Sequence, residues 1–285
     1  MTATADLEGR TVLVTGATDG IGREVARELA ARGARVLLHG RDARRAEAAR
    51  DDIRATTGSD ELEVVLADFA SLRQVRALAA EVRRRTDRLD VLVDNAGVWQ
   101  ARRHLTEDGL ETTFQVNHLA PFLLTNLLLD PLLAAAPARV VVVSSGVHQR
   151  AAVDLRDLQG ARRYDGTSAY ALSKLGNLLF AYELARRLQG TGVTVNALHP
   201  GAVSTKLLHA GFRASGGASP ADGARTAVYL ASSPDVAAVT GGYYADERPT
   251  TSSAASYDRA LQTAFWEASE RLAGLAADWP SRAVG

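Results

Sequence analysis

Short apolar runs recur along the chain, each followed by a longer stretch rich in Ala, Arg and Leu. The runs are Thr11–Thr15, Arg35–His39, Glu63–Ala67, Asp90–Asp94, Arg139–Ser144, Val193–Leu198 and Gly242–Ala245. Most are too short for helices, are rich in β-branched residues and lack polar alternation, as strands buried on both faces do. The intervening stretches read as helices: Ile21–Arg32, Ala43–Thr56, Leu72–Arg85, Gly109–Ala135, Ser168–Gln189 and Ala221–Ser232. This alternation predicts βαβ units, hence one doubly wound α/β domain over residues 1–285 with a seven-stranded parallel sheet covered on both faces. After the last strand, Tyr257–Asp278 reads as an amphipathic helix with Leu261, Phe265, Leu272 and Leu275 on one stripe, expected to pack against the domain. The Gly- and Ser-rich stretch Gly211–Pro220 reads as a loop, not a boundary.

Composition narrows the function classes. Lys+Arg and Asp+Glu both total 33, so the balance gives no reason to expect nucleic acid or an anionic membrane as partner. There is no cysteine, which excludes disulfides, thiolate catalysis and Cys-ligated metal. Six histidines are scattered without ligand spacing, so no metal is expected. No apolar run approaches the roughly 20 residues of a spanning helix, and the expectation is a soluble, cytoplasmic protein acting on a small molecule.

Two stretches carry candidate chemistry. Tyr170 and Lys174, four apart, fall on one face of a predicted helix. A phenol titrates near 10, and a nearby ammonium favours the phenolate, so the pair suits proton transfer to or from a carbonyl or alcohol. The chain holds only two lysines among many arginines, which makes a lysine here less incidental. The same spacing also occurs on ordinary surface helices. The second stretch, Thr15-Gly16-Ala17-Thr18-Asp19-Gly20-Ile21-Gly22, joins the first strand to the first helix. Glycines there let the backbone approach a pyrophosphate, whose charge then faces a helix N-terminus.

Together these stretches resemble the signature pair of the short-chain dehydrogenase/reductase family. Further landmarks follow in order: Asp68 and Phe69 after the third strand; Asp94-Asn95-Ala96-Gly97, where the family has Asn-Asn-Ala-Gly; Asn117; Ser145; and His199-Pro200-Gly201. Asn117-His118-Leu119, the long interval from Ser145 to Tyr170 and Leu-Ser-Lys-Leu-Gly-Asn are most similar to the retinol-dehydrogenase and WW-domain-oxidoreductase branch.

The resemblance implies a Rossmann-type NAD(P)-binding fold and an oxidoreductase interconverting a ketone or aldehyde with an alcohol. It implies Tyr170 as acid/base, Lys174 lowering the Tyr170 pKa and holding the nicotinamide ribose, Ser145 bonding the reacting oxygen, and Asn117 as fourth catalytic residue. Cofactor contacts are implied at Gly16, Thr18, Asp19, Gly20, Ile21, Gly22, Asp68 and Phe69. A second set is Asn95, Ala96, Gly97, Tyr170, Lys174, Pro200, Gly201, Val203 and Thr205. Each also has a plain structural reading: a capping Ser, a helix-kinking Asn, an unliganded loop. A mid-helix Asn is costly unless its side chain or the freed backbone is used, for example to hold a water.

The second strand ends in His39-Gly40 without the carboxylate that binds a ribose 2′-OH, and Arg41 follows, so NADP(H) is expected over NAD(H), with NAD(H) possible. Asp42 reads as a helix N-cap; Asp19 works against a phosphate site. The substrate wall is expected from Trp99, Ser145, Val147 and His148, with a loop near residues 203–219 that includes Leu207 and Phe212, and an apolar or aromatic carbonyl compound as substrate. His148 reads equally as a solvent-exposed loop residue. Both a monomer and a homodimer fit the sequence. The alternative function is a nucleotide-sensing regulator without turnover; an epimerase would need a larger C-terminal domain.

Overall fold

The computed structural model describes residues 6–205 and 216–275. Among these residues eight strands form one sheet in the order β3-β2-β1-β4-β5-β6-β7-β8: β1 (Thr11–Val14), β2 (Arg35–Gly40), β3 (Leu62–Leu66), β4 (Val91–Asp94), β5 (Ala138–Val143), β6 (Val193–Leu198), β7 (Tyr243–Ala245) and β8 (Arg248–Pro249). The first seven pair in parallel, as the apolar runs predict. The two-residue β8 is an addition, antiparallel to β7. The Asp246-Glu247 turn between them has φ of 47° and 61°, the left-handed pair of a tight hairpin, and no glycine announces it.

Alternate strand residues feed two apolar layers. Leu13, Leu37, Leu92, Val140 and Val142 face one side of the sheet, while Val12, Val14, Val36, Val91 and Val141 face the other. The helices are α1 (Gly20–Ala31), α2 (Ala43–Thr57), α3 (Leu72–Arg85), α4 (Thr112–Phe114), α5 (Ala120–Leu127), α6 (Leu129–Ala135), α7 (Gly166–Arg187), α8 (Pro220–Ser232) and α9 (Arg259–Ala273). Ser71, Asp165, Ser219 and Asp258 cap α3, α7, α8 and α9 through side-chain oxygens.

The predicted single helix over residues 109–135 is instead α4, a π-turn over Gln115–Leu119, α5 and α6. The Ala120 N–H bonds the Gln115 carbonyl, five residues back, and a 57° bend separates α5 from α6. No single described helix is long and apolar enough to cross a membrane; the bent pair passes on length and composition, and most of its side chains lie in the core.

The C-terminal helix docks on α7, burying Phe265 of the predicted stripe, but the centre of its buried face lies to one side of the predicted leucines. Gln262, Phe265, Trp266, Ser269 and Ala273 are buried, whereas Leu261, Leu272 and Leu275 are only partly covered. Trp266 sets the phase, with its ring 4.8 Å from Phe122 and 5.8 Å from Phe180. His118, within the π-turn, adds a buried polar link, Nε2 to Ser269 Oγ at 2.8 Å.

Candidate active site

Thr15 ties the glycine turn to the end of β4. Its hydroxyl accepts from the Asn95 and Ala96 amides (2.8 and 3.0 Å) and donates to the Val93 carbonyl (3.1 Å). Asn95 Nδ2 returns a bond to the Thr15 carbonyl at 2.8 Å. The backbones are close enough that a Cβ at Gly22 would stand 2.3 Å from Asn95 Nδ2 and 2.4 Å from the Gly16 carbonyl oxygen, so the turn stays open only with glycine. Asp19 caps α1, accepting from Gly20 N at 2.9 Å.

His39 is a support that sequence reasoning missed. Its Nδ1 accepts from Gly16 N at 3.2 Å, which leaves the proton on Nε2, 3.0 Å from the Ala67 carbonyl. Burial pushes its pKa down to about 4, keeping that tautomer neutral, and the ring stacks on Phe69 at 4.4 Å. The available signal was one polar residue inside an otherwise apolar strand.

A cleft of about 600 Å³ runs across the C-terminal ends of the strands. Glycine-turn residues Gly16, Thr18, Asp19, Gly20, Ile21 and Gly22 line one part of it, with Arg41, Asp68 and Phe69. Asn95, Ala96, Gly97, Pro200, Gly201, Val203 and Thr205 line the middle, and Ser145, Tyr170 and Lys174 the remainder. Every sequence-predicted cofactor residue therefore borders one cavity. Arg45, which the sequence left as plain helix, borders it as well, because the Asp42 cap (Oδ1 accepting from Arg45 N, 2.9 Å) turns the first residues of α2 toward it.

Ser145 follows β5, two residues past its end, and Tyr170 and Lys174 sit one turn apart on α7, so two neighbouring elements bring the three together. The Ser145 and Tyr170 hydroxyls are hydrogen-bonded. Lys174 Nζ stands 5.7 Å from the Tyr170 ring centre and donates to the Val143 carbonyl at 3.0 Å. Burial pushes the Tyr170 phenol up to about 12, against the lowering effect of the Ser145 bond, and pushes Lys174 down to about 8. Only the Ser145 bond opposes burial at the Tyr170 phenol, while the Lys174 ammonium, expected to lower that pKa, is held on a backbone carbonyl. The phenol keeps its proton and is set as an acid.

Asn117 does not line the cleft. Its Oδ1 accepts from Val98 N (2.7 Å), and Nδ2 donates to the Val98 carbonyl (2.9 Å) and Ser173 Oγ (3.0 Å). The side chain thus fixes the loop after β4 against α7, and the π-turn stands where an uninterrupted helix was expected.

The expected substrate wall fares differently. Val147, on the turn Gly146–Arg150, donates its N–H to Ser145 Oγ at 3.4 Å but does not border the cleft. Trp99 does not border it either; a Cβ at Gly166 would lie 3.1 Å from its ring, so the indole packs on the start of α7. His148 is 1% exposed with both ring nitrogens bonded to backbone, so it neither lines the pocket nor meets water. Leu207 and Phe212 lie outside the described residues.

Residues 10–215 match the family model described as short chain dehydrogenase. The chain belongs to the short-chain dehydrogenase/reductase family. A relative within this family, retinol dehydrogenase 14 of Homo sapiens, is 43% identical over 299 residues, covering 94% of this chain and 88% of the relative. The crystal structure of an uncharacterized protein from Mycobacterium paratuberculosis superimposes with a TM-score of 0.80 at 36% identity, over 96% of this chain and 98% of that one. A short chain dehydrogenase structure from Escherichia coli CFT073, complexed with NADPH, gives 0.72 at 28% identity, over 86% of this chain and 100% of that one. The short-chain dehydrogenase/reductase assignment makes this chain an oxidoreductase of the NAD(P)-dependent, alcohol–carbonyl kind. The glycine cradle, the cationic Arg41 and Arg45 and the open floor at Gly97 fit a dinucleotide; a Cβ at Gly97 would stand 3.7 Å from Lys174 Nζ.

Proposed function

We propose that the protein is an NADP(H)-dependent carbonyl reductase or alcohol dehydrogenase acting on an apolar or aromatic ketone, aldehyde or alcohol. The observation that carries this reading is the hydrogen-bonded Ser145–Tyr170 hydroxyl pair, with Tyr170 buried one helical turn from Lys174 and all three bordering the cleft. A sensor needs the glycine turn but no proton donor, and this arrangement retains one. Support for the cofactor comes from Arg41 and Arg45 on the cleft and from the absence of a carboxylate at the end of β2. Support for an apolar substrate comes from the retinol dehydrogenase relatives.

When bound, a nicotinamide supplies or accepts the hydride. Tyr170, holding its proton, gives it to the carbonyl oxygen during reduction and receives one from the alcohol in the reverse direction. The Ser145 hydroxyl is a fixed donor aimed at the oxygen where charge develops. Lys174 places a compact positive charge between the phenol and the cleft floor, and Asn117 holds the Val98 backbone beside them.

The test is a panel of carbonyl compounds and alcohols, followed by the absorbance of the reduced nicotinamide with each cofactor. Turnover of bulky apolar ketones or aldehydes with NADPH supports the proposal. Cofactor binding without turnover of any substrate favours the sensor, and preference for small charged oxo acids overturns the substrate class.

A further inference from the structure

We propose that His148 is a positioning residue for Ser145, its ring clamping the Ser145 carbonyl to the amide of Ser253, so that the chain beyond β8 sets the direction of the Ser145 hydroxyl. The inference rests on the proposed carbonyl–alcohol chemistry and deepens it.

The hydrogen-bond pattern fixes the ring state. Ser253 N lies 3.1 Å from Nε2, and a backbone N–H can only donate, so Nε2 is the acceptor. The proton is therefore on Nδ1, which donates to the Ser145 carbonyl at 2.7 Å. The same carbonyl accepts the His148 amide at 3.1 Å, closing the short turn that Ser145 caps. Burial disfavours the imidazolium, so the neutral ring is maintained. With both nitrogens engaged, no polar atom of His148 remains for a substrate.

Both ends of the clamp are anchored. Ser145 has extended backbone (φ −161°, ψ 150°), so its hydroxyl direction follows from the peptide plane and a single χ1 torsion. On the other side, Ser253 opens the turn Ala254–Tyr257. Ser252 Oγ bonds Tyr182 OH at 2.7 Å and Ser256 Oγ at 2.6 Å. The Tyr257 ring stacks on Tyr182 at 5.4 Å. Tyr182 belongs to α7, the helix that carries Tyr170 and Lys174, so the strap refers the Ser145 turn back to that helix. Tyr243 of β7 closes the cage edge-on at 5.3 Å. The strap lies beyond the residues that match the family model.

Three variants separate clamp from bulk. His148→Asn keeps an amide N–H near the place of Nδ1, whereas His148→Ala removes it. Ser253 has φ −67°, which proline adopts, so Ser253→Pro deletes the N–H donor while keeping that torsion. Hydrogen exchange on cofactor-free protein should rise in peptides covering residues 144–151 for His148→Ala and Ser253→Pro, and less for His148→Asn. In turnover, His148→Ala should lose about 10- to 100-fold in kcat, since a small misplacement has that effect, with cofactor Kd unchanged and His148→Asn recovering most of the loss. Unchanged exchange over 144–151 in Ser253→Pro overturns the clamp, as does a kcat loss equal in the Asn and Ala variants. Wild-type protein without turnover overturns the proposed chemistry instead, while the exchange measurement still decides whether the clamp exists.

Discussion

Arg45 Nη2 lies 3.1 Å from Asp19 Oδ2, so the carboxylate that argued against a phosphate in the glycine turn is paired with a cation. Its other oxygen caps α1. A charge-assisted hydrogen bond is worth roughly 1.5–3 kcal/mol, so Arg41→Ala should lower discrimination for NADP over NAD by about one to two decades. Arg45→Ala should weaken NADP by a smaller factor, by exposing the Asp19 charge, and leave NAD nearly unchanged. Cofactor titrations of both variants measure this; unchanged ratios in both remove the arginines from selectivity. Aspartate at position 40 is not a clean way to reverse the preference, because a Cβ there would stand 2.4 Å from Thr18 Cγ2.

Tyr170→Phe deletes the proton donor and keeps the ring, so turnover should fall by roughly two orders of magnitude or more while cofactor affinity holds. Lys174→Arg should also fail. The Lys174 side chain is 3% exposed with Nζ on the Val143 carbonyl, and a broad planar guanidinium does not fit that space. Steady-state rates and cofactor Kd measured together check both. Near wild-type rates in either variant remove that residue from the chemistry.

The sheet was legible because its strands are buried on both faces and read as unbroken apolar runs; Leu72–Arg85 and Val193–Leu198 match at both ends. The cofactor cleft was legible because its contacts come from strand ends and glycines that keep sequence order. What the sequence hid depends on pairing across the fold. His39, Arg45 and His148 act through partners 28, 26 and 105 positions away, which no local pattern marks. The π-turn at Asn117 hid for a related reason, since one wide turn barely alters helical periodicity. The buried face of α9 includes the predicted Phe265 but is centred off the predicted leucines, because Trp266 docks between Phe122 and Phe180 while the leucines flank the contact.

That contact yields a stability prediction. Trp266 is 2% exposed, lies under the Arg187 guanidinium at 4.2 Å and donates its indole N–H to Glu270 at 2.7 Å. Trp266→Ala should cost about 3–5 kcal/mol and, for a chain of this size, lower Tm by roughly 6–20 °C. Because α9 already covers this side of α7, sedimentation should show no dimer formed through that face. A dimer that dissociates on Trp266 substitution contradicts the packing described.

Asp94 gives the sharpest pH test, because an acid stands where the family motif has asparagine. It is 3% exposed; its Oδ2 accepts from Thr125 Oγ1 at 2.7 Å, and its Oδ1 has no hydrogen-bond partner among the described residues. Burial pushes its pKa up from 3.8 to about 7, against the lowering effect of Thr125. The unfolded chain therefore releases this proton near pH 4, while the folded protein holds it until about pH 7. The stabilisation is full below the unfolded pKa and is lost as pH rises across that window, by roughly 4 kcal/mol at about 1.4 kcal/mol per unit. Asp94→Asn carries no such penalty. Its amide can accept from Thr125, although the second polar atom stays unpartnered. The variant should be no more stable than wild type at about pH 4, and more stable by a few kcal/mol at about pH 8. Urea denaturation of both proteins across that range measures the difference. A gap that does not change with pH means that Asp94 ionises in the fold as it does in water.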